Sequence, residues 1–438
     1  MPIQFYSCRR APDSKELNPV QHSFTRFPLP FVKPLIALLG AFDSKGPEYA
    51  FLRDAILAQG ARVFTINTGI LGTTILFPVD VEAAEVIAAG GGRLEELRQK
   101  KDRGAAMKAA AQGAAVLLPR LVDAHGLAGV IGMGGTGGTS VVTTAMQALP
   151  IGFPKVCVST AAAGNVAPYV GTKDVTMMPS IVDVAGINRI SRLVLSRAAG
   201  AICGMASVRI GRAETDRPII AASMFGNTTA CVNACAEALT KQGYEILVFH
   251  ATGSGGRTME SLVDDRLIDA VLDLTTTEWA DTIAGGVFDA GEDRLSAPGR
   301  RGVPHLIGNG CIDMVNFGPR NTVPARYAQR KFYEWNPSVT LMRTDVDENR
   351  RMGRIFAEKA NAAKGPVAFL LAQKGVSILD GDGQPFCDRA ADAAFTEELK
   401  KHLNPTIPLV ELDVNINDPL FSAKAVEMLL ALIARRPI

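Results

Sequence analysis

The chain has 438 residues, of which 47% are hydrophobic and 21% charged, and its formal net charge is +2. That composition belongs to a globular protein long enough for two sizeable cores, and it excludes a disordered or fibrous chain. Near-neutral charge leaves no electrostatic footprint for nucleic acid or an anionic membrane, so chemistry on small molecules is favoured.

In chain order, residues 1–33 carry several prolines and no apolar stretch before a small-residue cleavage site, and read as an N-terminal extension without a secretory signal. A first lobe, 34–210, then alternates strands and helices. Strands are expected at 35–40, 61–67, 127–132 and 155–159, with helices at 46–59, 80–89, 92–112, 114–124 and 138–148. A polar stretch from Pro168 to Asp174 leads into a helical pattern from Ser180 to about Leu195, and 211–217 reads as a link. A second lobe, 217–438, restarts at Pro218 with an apolar run. Helices are expected at 228–241, 255–265, 279–285, 345–362 and 390–402, and strands at 244–249, 268–273, 303–308, 338–342, 366–371 and 407–411. The segment before Asn336-Pro337 reads as irregular, and a last helix runs from Pro419 to Ala434. Strands alternating with helices predict an α/β fold of two Rossmann-like lobes, each a mostly parallel sheet flanked by helices.

The two lobes open on copies of one unit. Pro34 begins an apolar strand, a helix that closes at Gln59-Gly60, and a second strand; Pro218 begins the same plan, closing at Gln242-Gly243. Open parallel sheets bind ligands beyond the carboxyl ends of their strands, which directs attention to a small set of loops. Seven scattered cysteines, an odd number in apolar surroundings, fit a reducing cytoplasm better than a secreted disulfide framework. The most apolar stretch, 113–135, contains Arg120, Asp123 and His125 and is too polar and glycine-rich to span a bilayer.

Gly132-Met-Gly-Gly-Thr-Gly-Gly-Thr139 follows one strand and opens a helix. There Gly134, Gly135, Thr136, Gly137, Gly138 and Thr139 are expected to present backbone N–H groups to a phosphate at a helix N-terminus. The alternative is a turn that merely permits close packing. Asp43, Ser44 and Lys45 end another strand; Asp43 is a candidate magnesium ligand and Lys45 a phosphate partner, while helix capping explains the same residues without a ligand. Ser159 and Thr160, then Thr172, Lys173 and Asp174, follow the next strand and are expected to face the same crevice. In the second lobe His250, Arg257 and Glu278 stand at strand ends as candidate catalytic residues, with His250 or Glu278 as base and Arg257 as anion clamp. Charges from Arg98 to Arg103 read most simply as a solvated helix face.

Six stretches together carry a resemblance: Gly40-Ala-Phe-Asp-Ser-Lys, Gly132-Met-Gly-Gly-Thr-Gly-Gly-Thr, Tyr169-Val-Gly-Thr-Lys-Asp, Val248-Phe-His-Ala-Thr-Gly-Ser-Gly-Gly-Arg, Leu274-Thr-Thr-Thr-Glu-Trp and Asp313-Met-Val-Asn-Phe-Gly. In that order they resemble a two-lobe ATP-binding family, typified by the N-terminal domain of a plant resistance protein against tomato mosaic virus. The resemblance implies ATP with magnesium in the first lobe, a homodimer, and a separate partner protein with a TIM-barrel-like fold. It names no reaction. The expected function is therefore an ATP-dependent enzyme, or part of one, acting on a small acidic metabolite; the alternative is a non-catalytic ATP-binding regulator whose association depends on nucleotide. An NAD-type oxidoreductase is disfavoured, because Asp43 and Lys45 stand where the first turn of such a fold needs glycines.

Overall fold

A computed structural model describes residues 33–208, 211 and 216–435. The extension, up to residue 32, and most of the expected link at 211–217 lie outside the described residues.

The first sheet comprises β1 (Leu35–Gly40), β2 (Arg62–Asn67), β3 (Gly129–Gly134), β4 (Lys155–Ser159) and β5 (Thr176–Pro179), all parallel, in the order β2-β1-β3-β4-β5. Along β1, Ile36 and Leu38 enter one buried cluster while Ala37 and Leu39 enter another. Both faces of the sheet are thus covered, which is why its strands are apolar runs rather than alternating ones. The second lobe has β6 (Ile219–Met224), β7 (Glu245–His250), β8 (Ala270–Thr275), β9 (His305–Gly310), β10 (Met314–Phe317), β11 (Phe332–Asn336), β12 (Val339–Arg343), β13 (Val367–Ala372) and β14 (Leu409–Leu412). Six of these form a parallel sheet ordered β14-β13-β9-β8-β6-β7, and β10-β12-β11 form a small antiparallel one.

Both large sheets share one topology. In each, the first strand lies between the second and third, so the strand order reverses beside it, between β1 and β3 and again between β6 and β8. Ligands of open α/β sheets bind at such switch points. The repeat seen in the sequence extends to the turn that closes each unit: Gly60 has φ 85° and Gly243 has φ 93°. That left-handed conformation ends a helix cheaply only for glycine.

Three expectations for individual elements are corrected. The helices expected at 92–112 and 114–124 are redrawn as Leu94–Lys100 and Arg103–His125, because Lys101 adopts φ 51° and Asp102 caps the second helix through the amide of Ala105. The pattern from Ser180 is not helical until Asn188 caps Arg189–Ser207, and β5 precedes it. The stretch before Asn336 is not wholly irregular, since it supplies β10 and β11.

Candidate nucleotide cleft

At the switch point of the first lobe, the side chain of Tyr49 fills the gap where β1 and β3 diverge. Its hydroxyl lies 2.9 Å from the Leu39 carbonyl and 2.8 Å from that of Met133, and accepts from the Met133 amide at 2.9 Å. A Cβ on Gly40 would fall 1.7 Å from that hydroxyl, so glycine is obligatory there. Beyond this plug opens a cleft of about 790 Å³, a volume suited to a nucleotide-sized molecule.

One wall of the cleft is the glycine turn and the start of the helix Thr136–Gln147. No side chain caps this helix. Its first-turn N–H groups and the positive end of its dipole therefore face the cleft uncompensated. The glycines differ in what they do. A Cβ on Gly134 would come within 2.8 Å of Gly138, so that glycine permits the tight turn. A Cβ on Gly135 would meet only Thr160 Oγ1 at 3.8 Å, and one on Gly138 only the Met133 carbonyl at 3.5 Å. Packing does not demand glycine at 135 or 138, and its presence leaves open space against the backbone. At Gly137 the obstacle would be the mobile end of Met107, 2.6 Å away.

The second wall is the start of the helix Phe42–Ala58. Asp43 Oδ2 accepts from the Leu71 amide at 2.9 Å, and the Lys45 ammonium donates to the Val184 carbonyl. Asn67 fixes this corner, its Oδ1 accepting from the Phe42 amide at 3.2 Å and the Gly69 amide at 2.8 Å. Gly69 is needed because a Cβ there would lie 2.4 Å from the Asp43 carboxylate.

The expected residues divide into three groups. Asp43, Ser44, Lys45, Gly134, Gly135, Thr136, Gly137 and Gly138 line the cleft. Thr139 and Ser159 are buried behind it, their hydroxyls 2.6 Å apart, with Thr139 also donating to the Gly134 carbonyl; they brace the turn, and Thr160 stands beside it. Thr172, Lys173 and Asp174 are not brought to the cleft. Lys173 pairs with Asp265 of the second lobe at 2.6 Å, both side chains 10% exposed, and Asp174 pairs with Lys155 at 2.7 Å while accepting from the Gly152 amide. Sequence reasoning missed a third wall. Arg98, Lys101 and Arg103, read as a solvated helix face, are exposed as expected but also line the cleft, as do Leu71 and Asp183. The signal was the charge run itself, which periodicity assigned to solvent.

The switch point of the second lobe is filled by protein. Asn227 and Thr277, at the ends of β6 and β8, are buried, and both bond to Met314 of β10, through its sulfur at 3.5 Å and its carbonyl at 3.2 Å. The candidate catalytic set does not assemble here. Glu278 is wholly buried: Oε1 accepts from the amides of Gly253 at 2.7 Å and Gly256 at 3.1 Å, and Oε2 from Arg294 Nε at 2.6 Å. Arg294 also pairs with Asp273 at 2.5 Å and with Glu260 at 3.3 Å. Burial alone would raise the Asp273 carboxyl, but the guanidinium overrides it and holds the group well below the usual range. Both Glu278 oxygens are thus engaged by donors inside the protein. His250 lies exposed against Phe225, ring centroids 5.3 Å apart, and Arg257, also exposed, donates to the Asp289 carbonyl at 2.6 Å.

Comparison with known proteins gives two adjoining matches, to the N-terminal domain of the Uncharacterised protein family (UPF0261) over residues 34–211 and to its C-terminal domain over 217–433. This chain belongs to the UPF0261 family. It is similar to a UPF0261 protein of Clostridium tetani, 43% identical over 401 residues that span 91% of this chain and 99% of that one. A UPF0261 protein of Mesorhizobium japonicum is 47% identical over 394 residues, 89% and 97% of the two chains. The ToMV resistance protein Tm-1(GCR237) of Solanum lycopersicum is 39% identical over 421 residues, which is 91% of this UPF0261 chain but only 55% of the tomato protein. The resemblance read from the six motifs is therefore to true relatives. Among the described residues no helix is long and apolar enough to cross a membrane, and no group of three or more His, Cys, Asp or Glu side chains is placed to hold a metal.

Proposed function

We propose that the first lobe binds ATP with magnesium in the cleft between β1 and β3. The observation that carries this reading is the uncapped start of the helix Thr136–Gln147, which opens onto a roughly nucleotide-sized cleft through two glycines that packing does not require. Backbone amides and helix dipole there suit a phosphate chain. Asp43 would share the magnesium ion with the phosphates, as expected of a cation that keeps several waters and takes only one or two carboxylates. Ser44 and Lys45 would complete that corner. The family resemblance supports the same ligand, and extends the proposal to a homodimer and a separate TIM-barrel-like partner.

The use made of the nucleotide divides two readings. An ATP-dependent enzyme acting on a small acidic metabolite needs a base in the second lobe. The enclosure of Glu278 by Arg294 and two amides favours the other reading, an ATP-binding regulator whose association follows nucleotide occupancy. Thermal unfolding tests the ligand. Because a ligand bound only by the native state stabilises it by mass action, millimolar ATP with magnesium should raise Tm, by the equivalent of about 2.7 kcal/mol at a hundredfold excess over Kd. NAD at the same concentration should not. Equal shifts with both, or none with ATP, would remove the proposal.

A further inference from the structure

The break at Lys101 has no explanation in the fold alone. The charge run would continue as a helix, as its sequence suggests, yet Lys101 takes φ 51°, and Asp102 restarts the chain as a capped helix. Left-handed backbone is relaxed for glycine and strained for lysine. What the break accomplishes is placement: Lys101 and Arg103 both line the cleft, together with Arg98 from the preceding helix. Arg98 Nε is spent on the Ile70 carbonyl at 2.5 Å, whereas neither Lys101 nor Arg103 enters any of the ion pairs among the described residues. The same lining carries three acids: Asp102 caps its helix, Asp43 accepts from the Leu71 amide, and Asp183 is the third. Two cations outside any ion pair among the described residues thus share a cleft with an uncapped helix start, at the beginning of a helix, Arg103–His125, that packs against that helix.

We infer that Lys101 and Arg103 are the polyphosphate clamp of this cleft: they close on the outer phosphates of a nucleoside triphosphate while the glycine turn holds the inner ones. This rests on the nucleotide reading above but adds a specificity it lacked. A compact ammonium and a forked guanidinium make the site select for phosphate number, so ATP is taken in preference to AMP. It also gives the strained lysine a reason, since a glycine there would keep the turn and lose the charge.

Calorimetric titration of the full chain with ATP, AMP, adenosine and inorganic tripolyphosphate, each with magnesium, tests the inference. The double variant Lys101→Ala with Arg103→Ala should bind ATP and tripolyphosphate at least tenfold more weakly, with AMP and adenosine changed less than twofold. Lys101→Gly, which relieves the backbone, should melt higher than the parent and still lose ATP affinity. A parent that binds ATP and a double variant that binds it equally well would overturn the clamp and leave the nucleotide reading standing. Tripolyphosphate binding that depends on the two cations, in a chain indifferent to ATP, would keep the clamp and overturn the nucleotide. Loss of adenosine binding in step with ATP would also count against it, since that marks general damage to the cleft. If neither polyphosphate binds the parent, both readings fall.

Discussion

Glu278 illustrates how a residue's type and position mislead when its neighbours are unknown. A glutamate at a strand end beside a Gly-rich turn reads as a base; in three dimensions it belongs to an enclosed network in which Arg294 faces Asp273, Glu260 and Glu278. Nothing near Arg294 in the sequence announces that role, because its partners lie 16 to 34 residues away. The assignment has a measurable consequence. In Glu278→Gln one amide group must face the Arg294 Nε donor or give up the two backbone amides, so the variant should lose stability by about 1–3 kcal/mol, the cost of leaving a buried donor unsatisfied. Urea unfolding should show a lower midpoint with an unchanged slope, and ATP affinity should be that of the parent. A variant as stable as the parent would return Glu278 to the list of free acids.

At the scale of elements, most strands and helices were legible because their periods are strong and their ends are marked. Strand β1 and the helix Pro419–Ala434 have the expected bounds, and both Gln-Gly closures end helices as read. The misreadings share a cause, which is that local pattern is blind to backbone strain and to distant pairing. Lys101 breaks a helix without glycine or proline to mark it, and β10 and β11 exist only because β12 pairs with both. The cleft followed the same rule: its glycine turn was plain in the sequence, its basic wall was not. The turn itself allows a test in which stability and binding move in opposite directions. Gly135 has φ −70° and ψ −173°, a conformation open to any residue, at the N-cap of a helix that has no side-chain cap. Gly135→Asp should supply the missing cap and stabilise the fold by about 0.3–1 kcal/mol, mostly through its charge at the helix N-terminus. The same carboxylate would occupy the phosphate position and repel the ligand, so ATP affinity should fall by tenfold or more. Higher Tm with undiminished ATP binding would show that the helix start is not the phosphate site.

Taken as a whole, the molecule has two lobes of one design put to different use. The first plugs its switch point with Tyr49 and opens a cleft beyond it; the second fills its own with Met314 and surrounds it with buried polar side chains. The lobes are joined through Asp265, which accepts from Lys173 and from the Ile151 amide beside the amino ends of β4 and β5, at the opposite edge of the first sheet from the glycine turn. The sequence reading had Lys173 facing the phosphate crevice; it pairs instead with Asp265 of the second lobe. On the function proposed above, only the first lobe's cleft receives nucleotide. A crystal structure of the chain grown with ATP and magnesium tests it most directly. The expected result is a triphosphate on the amides of Gly137 and Gly138, a magnesium ion at Asp43, and no nucleotide in the second lobe. Nucleotide bound beside His250 and Arg257, with the first-lobe cleft empty, would contradict it.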